Sequence, residues 1–174
     1  MTAKTFEVET GSASETSNSY ESVANADIYN DTYKSNATWT ALTAANKQLY
    51  LMRATQYLDM KYTRRWRGNR CDEDQALDWP RNFITDYDGY SIDSDEIPQA
   101  LKDATVEMSI VIAGGENPME NLSDNGTIKK TKKKVGPLEI STEYTDGDVP
   151  NKVYQRTEHL LYDLIFPTGE IRRA

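Results

Sequence analysis

Apolar residues recur at intervals of three and four in four stretches of the chain, and cap or turn residues stand between them. In 22–33, Val23, Ala24, Ala26, Ile28 and Tyr29 form a short helical pattern that Ser22 can cap, ending near Tyr33. Its Asn and Asp side chains compete for backbone hydrogen bonds, so this helix needs packing to persist. The strongest pattern opens at Thr43: Ala45, Leu49, Met52, Thr55 and Leu58, with Leu51, Ala54 and Tyr62, make a stripe wide enough for the centre of the core. A third helix is expected after Asp95, its cap, with Pro98 in the first turn, where its missing amide costs nothing. Its buried stripe is Ile97, Leu101, Ala104, Met108 and Val111 or Ile112, and Gly114 and Gly115 stop it. The last helix is predicted from about Pro150 to Phe166, with Val153, Leu160, Leu161, Leu164 and Ile165 apolar and Pro167 and Gly169 beyond its end.

Elsewhere the pattern changes. Ile128, Val135, Leu138 and Ile140 suggest two short extended stretches that pair as a hairpin or reach out as an arm, with turn signals at Asn125-Gly126 and Gly136-Pro137. Residues 57–101, between the second and third helices, hold Trp66, Trp79 and several Tyr, an aromatic density that a disordered linker has little use for. That segment is therefore an ordered loop. Gly68 and Asn69 suit a left-handed turn, Pro80 forces Trp79 to be extended, and DYDGY is a turn in which Gly89 can take positive φ. Trp66, Trp79, Pro80, Arg64 and Arg67 read as a structural clasp, with the loop arginines, Arg65 and Arg70 included, paired to Asp72, Glu73, Asp74 and Asp78. Residues 1–19 offer only Phe6 and Val8 to bury, so they read as a disordered arm; their alternation would also let them add a strand to a neighbour. The fold class is mainly α: a small helical bundle with a long ordered interhelical loop, a short β-hairpin or extended arm, and extended termini. It divides into an arm (1–19), a core (20–149) that includes the lysine-rich 125–148, and a C-terminal helix and tail (150–174).

Composition narrows the possibilities. With 174 residues, 37% hydrophobic content and a mean hydropathy of -0.75, the core is small or is completed by neighbouring subunits. A net charge of -8 argues against general nucleic-acid binding, which comes from neutralising phosphates with Lys and Arg. The local exception is Lys129, Lys130, Lys132, Lys133 and Lys134, which either blunt an edge strand or contact DNA or an acidic protein surface. The single cysteine, Cys71, and the single histidine, His159, leave no thiolate-rich zinc site. Asp86, Asp88, Asp93, Asp95 and Glu96 lack the pattern of an EF-hand loop and read as caps and turns. No nucleophile stands with a base, and there is no P-loop or dinucleotide fingerprint, so the expectation is a non-enzyme with no cofactor, metal or catalytic residues. No apolar run approaches the roughly 20 residues of a membrane span, and neither end reads as a secretory leader. The chain is expected in the cytoplasm or in something assembled there.

The succession SYESVANADIY, RATQYLDMKYTRRWRGNR, QALDWPR, DGYSIDSDEIPQALKDATVEMS and KKVGPLEISTEY resembles the head-tail connector adaptor proteins of tailed bacteriophages over about Ser19 to Tyr144. Similar sequences often carry the label DnaT-like single-stranded-DNA-binding protein. The connector resemblance implies a homo-oligomeric ring, usually of twelve copies, between the portal and a neck or tail-completion protein, enclosing genomic DNA without sequence preference. It implies a place in the virion, assembled in host cytoplasm, with no membrane contact. Under it, Leu161, Leu164, Ile165, Phe166, Ile171, Arg172 and Arg173 are candidates for docking the portal, and the five lysines are candidates for contact with channel DNA or a partner. The rival is a DnaT-like replication protein that binds single-stranded DNA. For that reading, Trp66 among Arg64, Arg65, Arg67 and Arg70 is the one place with an aromatic set in basic surroundings.

Overall fold

The computed structural model describes residues 5–119, 130–135, 138–143 and 153–166. The chain falls into two units, Met1–Asn117 with Tyr154–Ala174, and Pro118–Val153. As the sequence predicts, the fold is mainly α with short antiparallel hairpins.

In the larger unit, Ser22 accepts from the Asn25 amide and opens α1 (Val23–Tyr29), which passes into a wider π-helical turn over Asn30–Lys34. Asn36 caps a four-residue helix, α2 (Ala37–Thr40), that the apolar pattern does not announce. Thr43 caps α3 (Ala44–Tyr62) as expected. The buried face of α3 is Leu51, Ala54, Thr55, Tyr57, Leu58 and Tyr62, whereas Ala45 and Leu49 are exposed. Helix α4 (Gln99–Ala113) begins after Pro98, not Asp95, and ends at Gly114.

The central helix is α4. Every residue from Ala104 to Ile110 is buried, including Thr105, Glu107 and Ser109, because α4 separates two apolar clusters. On one side Leu101, Ala104, Met108 and Ile112 pack with Tyr20, Leu58, Tyr62, Trp66, Trp79 and the C-terminal Leu161 and Leu164. On the other, Val106 and Ile110 pack with Ala26, Tyr29, Trp39 and Leu51. The buried hydroxyls of Thr105 and Ser109 donate back to helix carbonyls, which spares them an unpaired burial.

The loop between α3 and α4 is held by two buried polar side chains and two very short ladders. Gln75 accepts from the amides of Cys71 and Asp72 and donates to the carbonyls of Leu77 and Pro80. Arg81 donates to the carbonyls of Arg67, Gly68 and Asp78. The strands are β1 (Asn69–Arg70) with β2 (Arg81–Asn82), and β3 (Ile84–Thr85) with β4 (Ser91–Ile92), both antiparallel. Gly68, at φ 67°, is where the arginine turn presses on this strip: a Cβ there would lie 2.2 Å from the Asn82 carbonyl oxygen and 2.6 Å from Ile84 Cγ1. Gly68→Ala is therefore expected to cost at least about 2 kcal/mol, combining left-handed strain with a backbone clash. Urea denaturation checks this, and an unchanged midpoint would mean that the turn yields.

The N-terminal segment departs from the expected disordered arm. Residues 5–19 form a closed loop around Glu9, which is buried and accepts from the amides of Gly11 and Ser14 and the hydroxyls of Ser12 and Ser17. Its order comes from hydrogen bonds to one carboxylate, a source that a count of apolar residues does not see. The C-terminal helix is also shorter than predicted, α5 (Gln155–Leu160), followed by turns to Leu164 and a bridge from Ile165 to Trp66.

In the smaller unit, β5 (Lys130–Val135) and β6 (Leu138–Glu143) pair antiparallel, so the expected hairpin is present. The register sets Lys130 opposite Glu143 and Lys134 opposite Glu139.

Candidate functional site

The clasp residues lie together, though the arginines use different partners from those expected. Trp66 is 1% exposed and meets Trp79 edge to face at 5.8 Å and Tyr62 at 5.5 Å. The Trp79–Pro80 peptide bond is cis, and Pro80 is buried. Arg67 donates to the carbonyls of Thr85 and Asp163, Arg65 to that of Phe166, and Arg70 to that of Gln75, while Arg64 is exposed. Main-chain carbonyls thus take the place of Asp72, Glu73, Asp74 and Asp78, because a loop with so little ladder leaves many carbonyls for guanidinium groups to satisfy. A buried Trp66 cannot stack on a base, which corrects the expectation that it offers an aromatic platform among the arginines.

The residues proposed for docking divide differently. Leu161, Leu164 and Ile165 are core residues, so they are not on display to a partner; Phe166 is partly buried. Ile171, Arg172 and Arg173, and likewise Lys129, lie outside the described residues. Lys130, Lys132, Lys133 and Lys134 are all on β5.

What the structure assembles instead is a cleft of about 640 Å³ lined by Arg65, Gln155, Arg156, Glu158, His159, Tyr162 and Ile165. Helical spacing places Gln155, His159 and Tyr162 four and three residues apart on one side of α5 and its following turn. Arg65 arrives from the end of α3 through a small ladder: Arg67 N–H donates to the Leu164 carbonyl at 3.0 Å and Phe166 N–H to the Arg65 carbonyl at 2.7 Å. The Arg65 guanidinium is braced by the Phe166 carbonyl at 3.1 Å and lies 5.3 Å over the Tyr62 ring.

Electrostatically the cleft is an island. Glu158 is neutralised by Lys61, at 2.9 Å. Arg156 Nε is anchored 2.8 Å from Glu107, which is 3% exposed and also meets Lys34 at 2.6 Å and the Tyr29 hydroxyl at 2.7 Å. Burial, then the hydrogen bond to Glu107, pushes the Tyr29 phenol up to about 12, so it stays a donor. Of the cleft's own lining, Arg65 and Arg156 stand against Glu158, an excess of one positive charge; Lys61 and Lys34 lie behind it on Glu158 and Glu107, and Asp103 also acts on Arg156. Tyr162, 64% exposed, stands beside that excess of positive charge. The long helix predicted from the sequence hides the convergence of Arg156 and Tyr162 with Arg65, 91 and 97 residues away along the chain.

Residues 4–174 match the family model described as Putative DnaT-like ssDNA binding protein. The chain belongs to that family. Comparison with curated proteins and with solved structures returns no significant match. The family match overturns the connector-adaptor expectation, with its ring, virion and portal roles: the family named is a DnaT-like one, and nothing in the match points to a virion connector.

Proposed function

We propose that this DnaT-like family member binds single-stranded DNA, without catalysis, through the cleft between α5 and the end of α3. The observation that carries the reading is the cleft in which Arg65 and Arg156 stand with an exposed Tyr162 at its edge, Glu158 of the same lining being paired with Lys61. Single strands are held by cations that follow the backbone and by aromatic rings on which bases stack, and each ring serves any base. A chain of net charge -8 attracts phosphate only where its charge is locally reversed, so binding is weak, local and strongly salt-dependent.

Fluorescence anisotropy of the full chain with a labelled oligothymidine of about 12 nucleotides tests this. Binding at low salt is expected to fall steeply by about 200 mM salt. Tyr162→Ser is expected to weaken it by roughly fivefold to tenfold, toward the low end for one stacked base. Arg156→Gln should reduce both affinity and salt slope. No binding at low salt, or both variants binding as the unaltered chain does, overturns the proposal.

A further inference from the structure

The β3–β4 hairpin has an unusual surface. Phe83, Tyr87 and Tyr90 are 88%, 84% and 74% exposed within eight residues of chain. Phe83 also sits at φ 62°, a left-handed conformation that a bulky side chain adopts only against strain. It is kept there because its neighbours are fixed, Asn82 by pairing with Asn69 and Ile84 by pairing with Ile92. Neither core packing nor local preference accounts for holding this ring in water.

Charge says what would cover it. Residues 83–96 contain Asp86, Asp88, Asp93, Asp95 and Glu96 and no Lys, Arg or His. One of these acids is engaged within the hairpin itself, since Asp86 Oδ1 accepts from the Tyr90 amide at 2.8 Å and shapes the turn at Gly89. Asp88, Asp93, Asp95 and Glu96 are exposed. Among the described residues, Arg67 reaches this hairpin, its Nη1 donating to the Thr85 carbonyl at 3.2 Å, and one such cation leaves carboxylates in excess. The base of the hairpin is firmly seated, since Ile84 is buried and the N-terminal loop abuts the Asp95 carbonyl so closely that Gly11 has no room for a Cβ. The surface is pre-organised, which lowers the ordering cost of binding.

We propose that this hairpin docks a lysine- or arginine-rich segment of a partner protein, its cations paired with the carboxylates and seated against the aromatic faces. Aromatic rings attract cations through their negative faces, and acids in the same patch add charge attraction. The same carboxylates repel phosphate, so this surface is separate in chemistry from the cleft at Arg65, and the inference does not depend on DNA binding there.

The test uses the full chain and fluorescein-labelled octalysine at about 150 mM salt, where long-range attraction to the net charge is screened. Phe83→Ser/Tyr87→Ser/Tyr90→Ser leaves charge unchanged and is expected to weaken peptide binding by roughly tenfold or more. Neutralising an equally exposed acidic stretch, with Asp72→Asn/Glu73→Gln/Asp74→Asn, should change it by less than about twofold. The aromatic triple variant should not lower the thermal midpoint, since all three rings are exposed, which keeps loss of fold from imitating loss of binding. Equal octalysine binding by the aromatic triple variant and the unaltered chain would reduce the effect to net charge and overturn the proposal. So would self-association of the chain alone that the same triple variant abolishes, which would make a second copy the occupant.

Discussion

Trp66→Ala is expected to remove about 3–5 kcal/mol of stability, the usual range for emptying a buried aromatic site. For a unit of this size that lowers the thermal midpoint by on the order of 10 °C. The high end applies because Trp66 cannot be replaced by inward collapse: Tyr62, Trp79 and Ile165 approach it from three separate parts of the chain. The backbone bridge between Trp66 and Ile165 is closed by the hydrogen bonds of their neighbours, Arg67 N–H to the Leu164 carbonyl and Phe166 N–H to the Arg65 carbonyl, which dock the C-terminal segment. Two losses should therefore appear together. Oligothymidine affinity should fall as the Arg65 side of the cleft separates from Tyr162, and amide protection of residues 153–166 should fall further than that of α4. A variant that is destabilised yet keeps both would show that the segment docks without Trp66.

How much of this was legible depends on which force specifies each part. Caps and apolar stripes act within a few residues, so Ser22, Thr43, the stop at Gly114 and the turn at Gly89 were readable from the chain alone. The β5–β6 hairpin was readable for the same reason. Polar side chains that organise backbone over long separations were not. Gln75, Arg81 and Glu9 order a loop and a terminal segment through hydrogen bonds to main-chain groups, and no periodicity records that. The C-terminal helix was overextended because Leu161, Leu164 and Ile165 keep helical spacing while packing from turns. The cleft was missed by the same mechanism: Arg65 and Tyr162 meet only because residues 65–67 pair with 164–166. The Trp66 site was misassigned since a tryptophan beside four arginines looks the same in sequence whether its ring faces solvent or the core.

The unaltered protein is expected to lose stability as pH rises from about 4 to about 7, against the usual trend for carboxylates, because of Asp59. Burial pushes its carboxyl up to about 7; hydrogen bonds from the Tyr20 hydroxyl at 2.5 Å and the Asp78 amide at 3.2 Å oppose that shift, and the Asp78 charge adds to it. Between its unfolded and folded values the native state keeps a proton that the unfolded chain gives up, so each rise in pH favours unfolding until about pH 7, where the effect ends. Asp59 lines a cleft of about 300 Å³ with Thr63, Arg70 and Asp78, so solvent screens part of the cost, and about 2 kcal/mol is the size to expect. Glu9 works in the opposite sense. Burial alone would raise it, but the donors Gly11, Ser17, Ser14 and Ser12 together hold it below the ordinary carboxylate range. Its contribution is therefore intact above that range and lost only as pH falls through its lowered value, outside the Asp59 window. Asp59→Asn separates the two. The amide still accepts from Tyr20 but gives up its bond to the Asp78 amide, so overall stability at pH 5 should drop by about 1 kcal/mol. Its slope between pH 5 and 8 should nearly vanish relative to the unaltered chain, while the acid limb set by Glu9 stays where it was. Urea denaturation at pH 3, 4, 5, 6, 7 and 8 reads the stability at pH 5, the slope above it and the acid limb below it. Parallel profiles for the two proteins would mean that Asp59 is already ionised in the folded state at pH 5, with its charge met by Arg70 across the cleft.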